Sequence, residues 1–79
     1  MNRDTHYVLG DLSQNDIGRW ECQDLELTSG AILEIAIGMS WIKGRIEHDG
    51  RQYVFFDPAA GAAMPLEEGI RARLKVTIH

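Results

Sequence analysis

Apolar and polar residues alternate with a period of two from Trp41 to Phe56, and this pattern restricts the fold more than any other feature of the chain. The stretch reads WIKGRIEHDGRQYVFF. Such alternation is typical of strands that bury one face and leave the other in water. Asp49-Gly50 interrupts it, and this dipeptide favours a two-residue type I′ turn because both central positions need positive φ. The sequence therefore predicts a β-hairpin in which His48 faces Arg51.

The predicted register gives the hairpin a core face and a mixed face. It places Ile46 opposite Tyr53 and Gly44 opposite Phe55. The core face carries Ile42, Gly44, Ile46, Tyr53 and Phe55. The mixed face combines polar residues with large apolar ones, namely Trp41, Lys43, Arg45, Glu47, Gln52, Val54 and Phe56. Aromatic side chains on a face that alternation leaves in water require a cover or a partner.

Three further segments alternate in the same way, at residues 17–22, 31–37 and 70–78. The last reads IRARLKVTI and is the most regular, with aliphatic residues at its even positions and basic residues or threonine at all of its odd ones. Residues 57–69 read as a loop. Its end, 65–69, has proline where a helix starts and glycine where a helix stops, which predicts one helical turn.

Five short strands with tight turns and one helical turn predict an all-β fold, a small five-stranded partly open barrel. The order of these features resembles an SH3-like barrel. We expect one domain over residues 1–79, in which residues 1–16 form an irregular N-terminal segment. The predicted core combines the apolar faces of several strands: Leu33, Ile35, Ile46, Phe55, Leu74 and Val76. The likeness to SH3 domains concerns fold and not function.

Two segments of the chain resemble a family of small bacterial domains of unknown function. They are LTSGAILEI, which begins at Leu27, and SWIKGRIEHDGRQY, which begins at Ser40. Members of that family share a Gly-x-x-x-Glu segment followed by Trp-Ile-x-x-Arg-Ile-Glu and an aromatic strand. The resemblance implies a compact β-domain, often encoded near mobile elements, with no assigned activity and no catalytic residue to transfer.

Cysteine usage and hydropathy predict where the protein resides. Cys22 is the only cysteine, so no internal disulfide can form, as is usual in a reducing compartment. The first ten residues lack the apolar run of a signal peptide, and no apolar stretch is long enough to cross a bilayer. We therefore expect a cytoplasmic protein.

The residue types needed for catalysis are sparse. A zinc site requires four ligands at paired spacings, whereas this chain has one cysteine and three separated histidines. His48 precedes Asp49, but the aspartate reads as a turn residue, and neighbours along a strand point to opposite faces. Cys22 shares a predicted face with Trp20 and reads as a buried small hydrophobe. We expect a protein that is not an enzyme and that uses neither cofactor nor metal.

The mixed face of the hairpin is the first candidate binding surface. Its candidate contact residues are Trp41, Lys43, Arg45, Val54 and Phe56. Aromatic residues within a polar rim are typical of protein interfaces, so the sequence predicts a protein-interaction module with a protein partner. Alternatively, the N-terminal segment at Tyr7-Val8-Leu9 folds over these aromatic residues and hides them.

A basic stripe in the last segment supports a second reading. Arg71, Arg73 and Lys75 alternate with aliphatic residues and could bind nucleic acid weakly, or could form cross-strand ion pairs with Glu34 or Glu47. The net charge of −4 disfavours nucleic-acid binding, since domains with that function are usually basic. The acidic N-terminal third offers a further alternative, an inhibitor that mimics nucleic-acid phosphates.

Overall fold

Eight β-strands make up the regular structure of the protein in a computed structural model, which describes the backbone of residues 4–78 and the side chains of residues 6–76. The strands are β1 (Asp4–Gln14), β2 (Trp20–Cys22), β3 (Leu25–Leu27), β4 (Ile32–Ile37), β5 (Ser40–His48), β6 (Tyr53–Asp57), β7 (Ala62–Pro65) and β8 (Arg71–Ile78). No helix occurs within residues 4–78.

The strands form one sheet in the order β3-β2-β1-β8-β4-β5-β6-β7, curled into an antiparallel half-barrel. Most neighbours are consecutive in sequence and form hairpins. The exceptions are at the centre, where β8 lies between β1 and β4. It pairs with both and so joins strands β1–β3 to strands β4–β7 in one sheet. The short strands β3 and β7 form the two edges, so the sheet does not close into a barrel.

The all-β prediction is confirmed, whereas the five-stranded SH3-like barrel has the wrong number of strands. The missed strands are β1, β3 and β7. The predicted irregular segment, residues 1–16, contains β1, which pairs with β8 from Asp4↔Ile78 to Asp11↔Arg71. The apolar residues Tyr7 and Leu9 at outward positions obscure the alternation of β1, so its strand character depends on a partner that is distant in sequence.

The predicted helical turn at residues 65–69 is also wrong. Pro65 ends β7 opposite Val54, and the following backbone groups bond to distant strands. The N–H of Leu66 donates to the Tyr53 carbonyl at 3.5 Å, and the N–H of Gly69 donates to the Leu12 carbonyl at 2.9 Å. These donors attach the segment to β6 and β1 instead of closing a local helical turn.

The β5–β6 hairpin has a four-residue loop instead of the predicted two-residue turn. His48 pairs with Tyr53, so the register differs from the predicted one by two residues. Only Gly50 in this loop has a positive φ, at 94°. Asp49 organises the loop because its Oδ1 accepts hydrogen bonds from the N–H groups of Gln52 and Arg51, each at 2.8 Å. These bonds lower the pKa of the Asp49 carboxyl.

We expect Gly50→Val to destabilise the protein by about 1–3 kcal/mol, because a β-branched residue is strained at this positive φ. A Cβ at this position would meet no atom within 4 Å, so the loss comes from the backbone alone. Equilibrium urea unfolding measures it. Gly50→Asn is the matched variant and should lose less, since asparagine tolerates positive φ. Equal stability of wild type and Gly50→Val would contradict the loop conformation.

The core lies on the inner face of the half-barrel. Its buried residues come from seven strands and the segment after β7: Leu12, Trp20, Cys22, Leu27, Leu33, Ile35, Ile46, Phe55, Leu66 and Ala72. The two-residue difference in register leaves the predicted faces of the hairpin unchanged, because side chains alternate with a period of two. Burial of Leu33, Ile35, Ile46 and Phe55 is therefore confirmed.

The last strand contributes less to the core than predicted. Leu74 and Val76 are only half-buried, and Ala72 is the fully buried residue of β8. The reason is the limited pairing with β4, whose recorded pairs are Glu34↔Arg73 and Ile35↔Ala72. The residues of β8 after Arg73 pair with β1, but they lie outside the two recorded pairs with β4.

Candidate functional site

Residues of both predicted binding sets lie on one surface, the outer face of β8, β4 and β5, which points away from the core. The register pairs Glu34 of β4 with Lys43 of β5 on one side and with Arg73 of β8 on the other. The hairpin residues and the basic stripe are thus separated only by β4. The sequence presented them as alternatives, whereas the structure combines them.

Arg73 lies at the centre of an aromatic stack on this face. Its guanidinium carbon lies 4.3 Å from the centroid of the Trp41 ring and 4.7 Å from that of Tyr7. Strands β8 and β5 are both neighbours of β4 and so run about 10 Å apart. The side chains of Arg73 and Trp41 must therefore meet above β4. Ala36 of β4 pairs with Trp41, and the small alanine side chain leaves room for this contact.

Glu34 holds Arg73 in this position. The Nε of Arg73 donates a hydrogen bond of 2.8 Å to Oε1 of Glu34, and the two side chains are 28% and 24% exposed. This bond raises the pKa of the guanidinium, which remains charged. A charged guanidinium over aromatic rings forms favourable cation–π contacts. Tyr7, Arg73, Trp41 and Glu34 thus form a connected unit, here called the outer-face stack.

The outer-face stack explains how the ring of Trp41, which lies on the outer face, is covered. Trp41 is half-buried, and the group over its ring is Arg73 of β8. The segment Tyr7-Val8-Leu9, predicted as a possible cover, is part of β1. Tyr7 and Leu9 remain 52% and 43% exposed on the outer face, and half-buried Val8 packs against the core.

The remaining aromatic candidate, Phe56, is covered in a similar way. Arg45 is its partner in the register, and the guanidinium carbon lies 4.8 Å from the Phe56 ring centroid. Arg45 also forms an ion pair with Glu47. Val54, in contrast, is only 7% exposed, next to Pro65 of β7. Val54 therefore offers little surface to a partner, and its role in a contact stays a prediction.

The cations of the outer face differ in whether they have an acidic partner. Arg71 pairs with Asp11 at 3.3 Å, and the predicted ion pair with Glu34 is confirmed for Arg73. Exposed pairs of this kind contribute little stability but neutralise charge locally. Lys43 and Lys75 form no ion pair within residues 6–76. The two lysines therefore carry the uncompensated positive charge of this face.

An exposed isoleucine lines the same cleft as the two lysines. Ile32 of β4 is 62% exposed and pairs with Arg45 of β5, two residues before the pair of Glu34 with Lys43. It borders a shallow cleft of about 170 Å³, here called the Ile32 cleft, whose lining includes Tyr7, Ile32, Glu34, Lys43, Arg73 and Lys75. Both Tyr7 and Ile32 were missed as site residues, although Ile32 alternates in phase with Glu34 in the sequence.

The predicted basic residues at the start of β8 are less available than Lys75. Arg71 faces Asp11 across the β1–β8 pair, and Arg73 is held by Glu34. The acidic N-terminal third also has an internal ion pair, because Arg19 lies 3.1 Å from Glu26 of β3. Among the cationic candidates of β8, only Lys75 points to the Ile32 cleft without an acidic partner in the described part of the chain.

His48 and Cys22 have structural environments. The His48 ring packs edge-on against Tyr53, with centroids 4.8 Å apart, and its Nδ1 accepts a hydrogen bond from the Gly50 N–H at 3.1 Å. Burial raises the pKa of the Cys22 thiol. Among the side chains of residues 6–76 no three His, Cys, Asp or Glu are grouped to hold a metal ion. Nor does that stretch contain a helix with the length and apolar character to span a bilayer.

Comparison with protein families identifies the chain. The family described as Domain of unknown function (DUF5348) matches residues 2–74. The match covers most of the sequence, so the chain belongs to this family. Comparison with curated proteins and with solved structures gives no significant match. Membership agrees with the resemblance to a small domain of unknown function, while the particular motif proposed for it stays a prediction.

Proposed function

For this member of the DUF5348 family we propose the function of a non-enzymatic protein-interaction module that binds its partner through the outer face. The observation that carries the proposal is the exposure of Tyr7, within the outer-face stack, and of Ile32, which lines the same cleft. A β-branched aliphatic residue in the middle of a sheet face, with charged residues around it, has the arrangement of an interface centre and rim. Arginine and aromatic residues are also the types that contribute most to binding at such surfaces.

The same geometry favours a protein partner over nucleic acid. Nucleic-acid bases stack on uncovered aromatic rings. The guanidinium group of an arginine already lies over the ring of Trp41 and over that of Phe56. Arg45, Arg71 and Arg73 already have carboxylate partners. Phosphate binding would have to rely on the two unpaired lysines, which provide few of the contacts that such binding needs.

Site-specific photocrosslinking tests this proposal. A photoreactive residue at position 32 should capture one predominant protein in a lysate of the source organism, which is then purified and titrated against the wild-type domain. We expect Ile32→Asp to weaken the binding of that protein by roughly thirtyfold or more, the level of a central interface residue.

Ile17 provides the matched control for this experiment. It is also an exposed isoleucine, at 76%, but it lies in the turn between β1 and β2. Ile17→Asp should leave the affinity unchanged, and a crosslinker at position 17 should not capture the same protein. Equal loss of affinity in both variants, or no loss in Ile32→Asp, would refute the outer face as the binding surface.

A further inference from the structure

We propose that the Ile32 cleft binds an acidic segment of the partner protein, with an aliphatic side chain on Ile32 and carboxylates on Lys43 and Lys75. This inference rests on the proposed function and adds the chemistry of the partner. The cleft is lined by the exposed Ile32 and by the two lysines, and its one carboxylate, Glu34, is paired with Arg73. A complementary ligand therefore provides an aliphatic side chain and two anionic groups.

The unpaired state of the two lysines supports an anionic ligand. The three arginines of the outer face have carboxylate partners within the domain, and Lys43 and Lys75 have none within residues 6–76. Both lysines border the same cleft. Their two positive charges raise the electrostatic potential in the cleft. A concave surface attracts an oppositely charged group more strongly than a flat surface does.

Ile32 supports a protein segment over a phosphate ligand. Its side chain lines the same cleft as the lysines and is 62% exposed, so part of the ligand must be apolar to cover it. A second apolar surface continues from Ile32 toward Pro58 and Ala59, and it also includes the stem of Lys43. A peptide with leucine or isoleucine near its acidic residues provides both kinds of group, whereas a phosphate backbone provides only charge.

The spacing of the strands suggests the form of the segment. Lys75 and Lys43 lie on β8 and β5, about 10 Å apart across β4. In an extended peptide every second side chain points the same way, about 6.6 Å from the next. A Glu-x-Leu-x-Glu segment therefore presents leucine at the centre and two carboxylates within reach of the flexible lysine side chains.

The inference is tested by titrating the isotopically labelled protein with a capped peptide that contains Glu-Ser-Leu-Ser-Glu, followed by two-dimensional NMR. We expect saturable shifts at Ile32, Lys43 and Lys75, and a roughly tenfold weaker affinity in 0.5 M salt because such contacts are screened. The variant Lys43→Gln/Lys75→Gln should show a similar loss. Its thermal midpoint should be unchanged, since neither lysine forms an ion pair in the described part of the chain.

Control ligands identify the outcomes that would overturn the inference. Gln-Ser-Leu-Ser-Gln and Glu-Ser-Ser-Ser-Glu peptides should each bind much more weakly than the probe. Equal binding of the glutamine peptide would mean that the cleft does not select acids, and absence of saturable binding by the glutamate peptide would exclude the acidic segment. Tighter binding of a thymidine dodecamer to the same residues would assign the cleft to nucleic acid instead.

The two proposals can fail separately. Suppose that Ile32→Asp abolishes binding of the crosslinked protein while Lys43→Gln/Lys75→Gln retains it fully. The outer face is then the interface, and the acidic character of the partner is wrong. If Ile32→Asp retains that protein, the proposed function itself fails.

Discussion

Gly44→Ala is expected to destabilise the protein by about 3 kcal/mol or more, the upper part of the range for inserting a methyl group into a packed core. Gly44 lies in the middle of β5, and a Cβ built there would overlap the Phe56 carbonyl oxygen and come within 2.5 Å of Cζ of Phe55. The carbonyl belongs to the backbone of β6, which cannot move without disturbing the β5–β6 pairing. Urea unfolding at equilibrium measures the loss.

Gly10→Ala is the matched control, since Gly10 is also a buried glycine in a strand and has no positive φ. Its Cβ would meet Cγ of Gln23 at 2.8 Å, which is part of a side chain that can turn away. The variant loses at most the hydrogen bond from Gln23 Nε2 to the Leu9 carbonyl, about 1 kcal/mol. If both glycine variants were equally stable, the close approach at Gly44 would be refuted.

The role of the Phe55 ring can be separated from that of the carbonyl. Phe55 is 2% exposed and its ring covers the backbone at Gly44, an arrangement in which an aromatic side chain fills the space that glycine leaves. Phe55→Leu removes the ring but not the carbonyl overlap. The double variant should therefore lose less stability than the sum of the losses of Gly44→Ala and Phe55→Leu, and a double-mutant cycle measures this difference.

The faces of the hairpin could be predicted from the sequence, but its register could not. Alternation determines whether Ile46 or Glu47 points inward, and any shift by an even number of residues gives the same answer. The register depends on the loop, where Asp49 accepts hydrogen bonds from the N–H groups of Gln52 and Arg51. This local side-chain bonding competes with the two-residue turn that Asp-Gly usually favours.

The candidate site was predictable only in parts. The alternation around Lys43 and Lys75 shows that both face solvent, and Ile32 stands in phase with Glu34. Their proximity depends on the central position of β8 between β1 and β4, which arises from pairing over long sequence separations. No local pattern encodes that pairing, so the union of the basic stripe with Trp41 could not be foreseen.

Leu12→Ala provides the strongest test of β1, the longest element that sequence reasoning missed. Leu12 is 1% exposed, pairs with Cys22 and belongs to the buried core. Its backbone is also fixed, because its N–H donates to the Ile70 carbonyl at 2.8 Å and its carbonyl accepts from Gly69. The surrounding structure therefore has little freedom to fill the cavity, and we expect a loss of about 3–5 kcal/mol, the range for buried leucine.

Leu9→Ala is the matched control on the same strand. Leu9 is 43% exposed and points to the outer face, so its truncation should cost less than about 1 kcal/mol. The change in strand propensity is the same in both variants, and the difference between them reports burial alone. Urea unfolding of the two variants measures that difference. If Leu12→Ala were no more destabilising than Leu9→Ala, β1 would not pack on the core, and the irregular N-terminal segment predicted from the sequence would be the better description.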